Sequence, residues 1–200
     1  EGERLLKQYQ TRKKEEYYFT TDEILKYDGG SFIPSASMMY RKEALAGLPD
    51  YYHKTTIYND APLTIYLSTV GKVYYDPTPM SVYRIFSKGS WSEKVEEKAQ
   101  YLYDAGIDML NLVDATTNYQ YSESIAYRKN VMLKDLYERQ KNVKKLYQVL
   151  MEKTEFTNSI SFPKKVYLLI RAKLPITERH RYLILHPKTI VAKFVRKVRK

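Results

Sequence analysis

The sequence predicts a mixed α/β domain followed by a C-terminal helical region, and three observations carry that expectation. Up to about residue 90, short apolar stretches alternate with Gly- and Pro-bearing breaks, as short strands and helices require. Beyond Trp91 the apolar residues recur at helical spacing over long windows. Charge divides the chain as well: residues 1–162 carry 22 basic and 22 acidic side chains, whereas residues 163–200 carry 12 and 1. The whole net charge of +11 therefore sits in a basic tail behind a neutral body, and the two are expected to do different work.

Composition narrows the classes. At 44% apolar and 28% charged, the 200 residues can bury a core and are neither a disordered tail nor a collagen. The lack of cysteine removes disulfides, thiolate metal sites and cysteine nucleophiles together. His53, His180 and His186 show no ligand-like spacing, and no metal site is expected within this chain. No apolar run approaches the roughly 18 residues of a membrane span, and the opening EGERLLKQYQ has no signal-peptide core, so a soluble or peripheral protein is expected.

Thr20-Thr21-Asp22-Glu23 reads as a capping box opening a short helix through Lys26, because a threonine hydroxyl and a glutamate three residues later can exchange hydrogen bonds with each other's amides. Asp28-Gly29-Gly30-Ser31 breaks the chain. Ala36–Tyr40 is expected to be a short strand, and Arg41–Ala46 a short helix stopped by Gly47 and Pro49. From Asp60, Leu63, Ile65, Tyr66 and Val70 fall where a half-buried helix places apolar groups, with Gly71 ending it. Val73–Tyr75 and Met80–Arg84 read as strands around a turn at Pro77 and Pro79. Val95, Ala99, Leu102, Met109 and Val113 then mark one helix face, and Ile125, Met132, Leu136, Val143, Tyr147 and Leu150 another. A last packing helix runs from Pro163 to Leu174, before Pro175.

The densest run of unusual residues lies between Ser31 and Ser92. In order it holds IPSASMMYRK, Asn-Asp-x-Pro-Leu opening a helix, GKVYYDPTPMSVYR and GSWS. This combination resembles the acceptor-side half of inverting family 2 glycosyltransferases of the GT-A fold, particularly bacterial enzymes that build surface or capsular polysaccharides. The likeness spans about residues 1–120 and lies in the order of the pieces. It implies a partial GT-A domain over residues 1–92; apolar spacing and charge add packing helices over 93–162 and a basic amphipathic tail over 163–200.

What the resemblance implies for single residues is specific. Asp60 would be the general base on an acceptor hydroxyl, with Asn59 beside it in the substrate site. Tyr83 and Arg84 would face the donor, the guanidinium offering paired donors to a diphosphate. Ser35 and Ser37 would line the site with small side chains, and Ser90 and Trp91 would belong to a loop closing over donor and acceptor. The partners implied are a nucleotide-sugar donor and a glycan or lipid-linked sugar acceptor. A divalent metal, Mn or Mg, is expected in the complete enzyme, with ligands outside this chain. The family's Asp-x-Asp and nucleotide-binding half would precede Glu1, leaving the isolated fragment inactive, and Phe86 stands where the family often has a metal-binding His. Each residue has a plainer reading too: Asp60 as a helix cap, Arg84 paired with Asp76, Ser35 and Ser37 as small residues before a strand, Trp91 as a core anchor.

From Pro187, PKTIVAKFVRKVRK places Ile190, Val191, Phe194, Val195 and Val198 on one arc of a helix and Lys193, Arg196 and Lys197 on the rest. Lys193, Phe194, Arg196 and Lys197 are thus candidates for docking on an anionic membrane, each basic residue near the surface adding about 1 kcal/mol. Packing of that helix on the body is the alternative. No nucleic-acid partner is expected, because no reading module accompanies the charge. The resulting expectation is a cytoplasmic glycosyltransferase portion, peripheral at the inner face of the cell membrane. A non-catalytic helical module that binds an anionic membrane or a partner protein through its basic C-terminus is the other class.

Overall fold

The computed structural model describes residues 13, 15–27, 33, 35–54, 60–78 and 99–173. Helices make up 71% of them and the described strands form one two-stranded sheet, so helix packing supplies most of the buried surface. The chain divides into two compact units: Glu1–Glu96 with Asn111–Ser124, and Glu97–Leu110 with Ile125–Lys200.

In the first unit, β1 (Tyr17–Phe19) pairs antiparallel with β2 (Val73–Tyr75), Tyr18 opposite Tyr74. The two-residue period of a strand turns Phe19 into the core, where its ring meets Tyr75 edge-on at 5.5 Å. It turns Tyr18 and Tyr74 outward as an exposed cross-strand pair at 5.3 Å. The Tyr74 phenol is pushed up to about 12, chiefly by its hydrogen bond to Glu16.

Helix α1 (Thr21–Lys26) starts as its sequence predicts. The Thr20 hydroxyl accepts the Glu23 amide at 3.2 Å and the Glu23 carboxylate accepts the Thr20 amide at 3.0 Å. Ile24 and Leu25 are wholly buried.

The expected strand over Ala36–Tyr40 is not formed. Ser35–Ser37 winds into a single 3₁₀ turn because the Met38 amide bonds back to the Ser35 carbonyl at 3.3 Å, which removes that amide from any ladder. A second 3₁₀ turn, Lys42–Gly47, stands close to where a short helix was expected, and α2 (Asp50–Lys54) follows it and buries Tyr51. Helix α3 (Asp60–Val70) is the centre of this unit, with Ala61 through Tyr66 all buried. α1 locks onto it through Thr21, whose hydroxyl donates to the Ser68 carbonyl at 2.8 Å.

Helix α4 (Ala99–Thr116) buries Leu102, Met109 and Val113, the face its period marks. It ends in a Schellman turn: the Asn118 amide reaches Ala115 and the Tyr119 amide reaches Asp114, with Asn118 at φ 50°. Helix α5 (Ser122–Arg139) ends the same way on Lys141, at φ 53°.

That second turn overturns the single face expected from Ile125 to Leu150. The Asn142 side chain caps a new helix, α6 (Val143–Met151), by accepting the Lys145 amide at 3.1 Å, and so resets the helical phase. Leu146, Val149 and Leu150 point inward while Tyr147 is 53% exposed.

Helix α7 (Glu155–Asn158) is capped by Thr154, and α8 (Phe162–Lys173) packs on α6. Leu146, Leu150, Phe156, Ile160, Tyr167, Leu168 and Ala172 form the core of this second unit. The Glu138 carboxylate, 13% exposed, lies between Lys134 at 3.5 Å and Arg171 at 3.8 Å and ties α5 to α8. Among the described residues, no helix is long and apolar enough to cross a membrane.

Candidate functional site

Among the described candidate residues, Asp60 opens α3, while Ser35 and Ser37 lie in the 3₁₀ turn just before Met38. Asp60 is the first residue of that helix and is partly exposed, and the six residues after it, Ala61 to Tyr66, are all buried, so the helix is held firmly behind it. A carboxylate in the first turn is favoured by the unpaired amides and the helix dipole. Among the described residues, no hydrogen bond or ion pair engages the Asp60 carboxylate.

Thr64 joins this position to the Ser35–Ser37 turn. Its hydroxyl, on a residue 4% exposed, donates to the Asp60 carbonyl at 2.8 Å and lies 3.8 Å from the sulfur of Met38. Met38 directly follows Ser37, so the small-residue turn and the start of α3 meet at one buried hydroxyl. Ser35 and Ser37 are themselves exposed. One turn further along, the Tyr66 hydroxyl donates to the Ala44 carbonyl at 2.9 Å and anchors the Lys42–Gly47 turn on the same helix.

No protein-family model, no curated protein and no solved structure matches the chain.

Asn59, Tyr83, Arg84, Ser90 and Trp91 lie outside the described residues, as do Lys193, Phe194, Arg196 and Lys197 and the expected strand Met80–Arg84. Asp76, the alternative partner of Arg84, accepts the Thr78 amide at 2.8 Å, and this hydrogen bond holds its carboxyl below the usual range. Among the described residues, no group of three or more His, Asp or Glu side chains is placed to hold a metal ion, so a divalent metal has no fitting site there.

Sequence reasoning missed Thr64, Met38 and Tyr66. Thr64 had a signal, since a threonine four residues after a helix start commonly bonds back to that carbonyl. The Met38 and Tyr66 contacts join segments 26 and 22 residues apart, and no local pattern announces them.

Proposed function

We propose that this chain is the acceptor-side portion of an inverting glycosyltransferase that resembles family 2 enzymes of the GT-A fold, moving a sugar from a nucleotide donor to a hydroxyl of a glycan or lipid-linked acceptor. The observation that supports the reading is the junction at α3, where Asp60 opens a buried helix and the Thr64 hydroxyl joins its backbone to Met38, the residue after the small-residue Ser35–Ser37 turn. The ordered motifs between Ser31 and Ser92 support the same reading.

Asp60 takes the proton of the acceptor hydroxyl as that oxygen bonds to the anomeric carbon. The bond from that carbon to the nucleoside diphosphate breaks, and attack opposite the leaving group inverts the centre. Small side chains at Ser35 and Ser37 let the acceptor approach the backbone beside that carboxylate.

The test is Asp60→Asn in the longest native polypeptide containing this sequence, read by release of nucleoside diphosphate from a panel of nucleotide sugars. Loss of general-base catalysis lowers turnover on the order of 10²–10⁴-fold, while stability falls by no more than about 1 kcal/mol, the loss of a charge at the helix start. Turnover equal to wild type removes Asp60 from the role.

A second reading, a module docking on an anionic membrane, is favoured by the confinement of the net charge to residues 163–200. Deleting residues 187–200 then weakens binding to anionic vesicles at physiological salt. Undiminished binding takes the tail out of it.

A further inference from the structure

The second unit exposes apolar side chains where the chain is also basic. Residues 141–173 carry eight basic and two acidic side chains. On α6 the buried arc is Leu146, Val149 and Leu150, and the outward arc holds Lys144, Tyr147 and Met151 at helical spacing. Tyr147 is 53% exposed and Met151 38%, and Phe162, at the start of α8, is 70% exposed. Exposed lysines accompany all three: Lys144 a turn before Tyr147, Lys153 two residues after Met151, Lys164 two residues after Phe162. The core of this unit is complete without them, since α6 and α8 pack through Leu146, Leu150, Tyr167 and Leu168.

Charge distinguishes this surface from the other exposed apolar side chains. Met39 and Tyr119 are as open to solvent, yet they belong to residues 1–140, where 18 basic side chains face 20 acidic ones. Apolar anchors framed by cations match the layered chemistry of an anionic bilayer, with phosphates at the surface and acyl chains just beneath. A nucleic acid would engage the lysines but would gain little from a methionine and a phenylalanine set among them.

We infer that the outward face of α6, with the exposed start of α8, is a docking surface for an anionic membrane. Lys144, Lys153 and Lys164 meet lipid phosphates, and Tyr147, Met151 and Phe162 enter the headgroup layer. This surface is independent of the proposed sugar transfer and of residues 187–200.

The test uses the full chain in co-sedimentation with vesicles of phosphatidylcholine and phosphatidylglycerol in equal parts, against phosphatidylcholine alone. The double variant Tyr147→Ser/Met151→Ser and the triple variant adding Phe162→Ser change only exposed side chains, and unchanged circular dichroism certifies their fold. Wild type binds the anionic vesicles selectively, and the triple variant binds them about tenfold or more weakly, since buried apolar area contributes to interfacial affinity. Deletion of residues 187–200 leaves a fraction of binding that the triple variant abolishes. Wild-type affinity in the triple variant overturns the inference. So does an equal loss of binding to a single-stranded oligonucleotide, which would assign the surface to a polyanion.

Discussion

The Ser124 hydroxyl donates to Oδ1 of Asp22 at 2.5 Å, joining the start of α5 to the first turn of α1 across 102 residues of chain. Ser124 is 2% exposed, so its hydroxyl has no water to turn to if the carboxylate leaves. Asp22 is exposed and can be rehydrated. The two deletions are therefore unequal. Ser124→Ala costs about 1 kcal/mol, the net value of one hydrogen bond, whereas Asp22→Ala also leaves a buried hydroxyl unpaired and costs about 2 kcal/mol. Urea unfolding of both variants measures the difference.

Gly47 and Tyr66 are coupled by space. A β-carbon at Gly47 would stand 2.9 Å from the Tyr66 hydroxyl, which is bonded to Ala44. Gly47→Ala forces that hydroxyl aside and destabilises by about 1–3 kcal/mol, in the range of other overpacking changes. In a Tyr66→Phe background the crowding atom is gone, so the same substitution costs measurably less. A double-mutant cycle reports the coupling.

Glu23 makes the first unit sensitive to acid. Burial alone would raise its carboxyl, but the Thr20 amide, the Tyr17 and Thr20 hydroxyls and Lys13 together hold it below its ordinary value. A lowered folded-state pKa contributes stability that is complete above the unfolded value and is lost as the pH falls through the lowered one. The urea midpoint of wild type thus declines on acidification over that window. Glu23→Gln starts lower at neutral pH and shows a shallower decline, because it has no carboxylate left to protonate.

Lys141 is in the left-handed region at the Schellman turn that ends α5, a position that favours glycine. Lys141→Gly relieves that strain and raises stability by up to about 1 kcal/mol. Gln140→Gly, one residue earlier and outside the positive-φ positions, gains nothing of the kind. Thermal melts of the pair separate relief of strain from a general effect of glycine.

Much of the local structure is written in short stretches of sequence. The capping box at Thr20 and Glu23, the helix that begins at Asp60 and the inward face of Leu102, Met109 and Val113 each depend on residues within a few turns of one another, where hydrogen-bond geometry and apolar spacing act directly. Other features are decided at longer range. β1 is a strand because Val73–Tyr75 offers it a ladder, and Ser35–Ser37 is a turn because the Met38 amide closes it. The break at Lys141 hides behind a residue type that does not advertise a helix end, and the helix restarted by Asn142 turns Leu146 inward in place of Tyr147.

The candidate site divides along the same line. Asp60 at a helix start is legible from Asn-Asp-x-Pro-Leu alone. Its connection to the Ser35–Ser37 turn is tertiary, made by one buried threonine hydroxyl that bonds within its own helix while touching a sulfur 26 residues away. Sequence by itself determines which residues can cap, which can turn and which carry charge, since those properties belong to single side chains and their near neighbours. Which of them meet is settled only when packing buries one face of each element and the remaining polar groups must find partners across the fold.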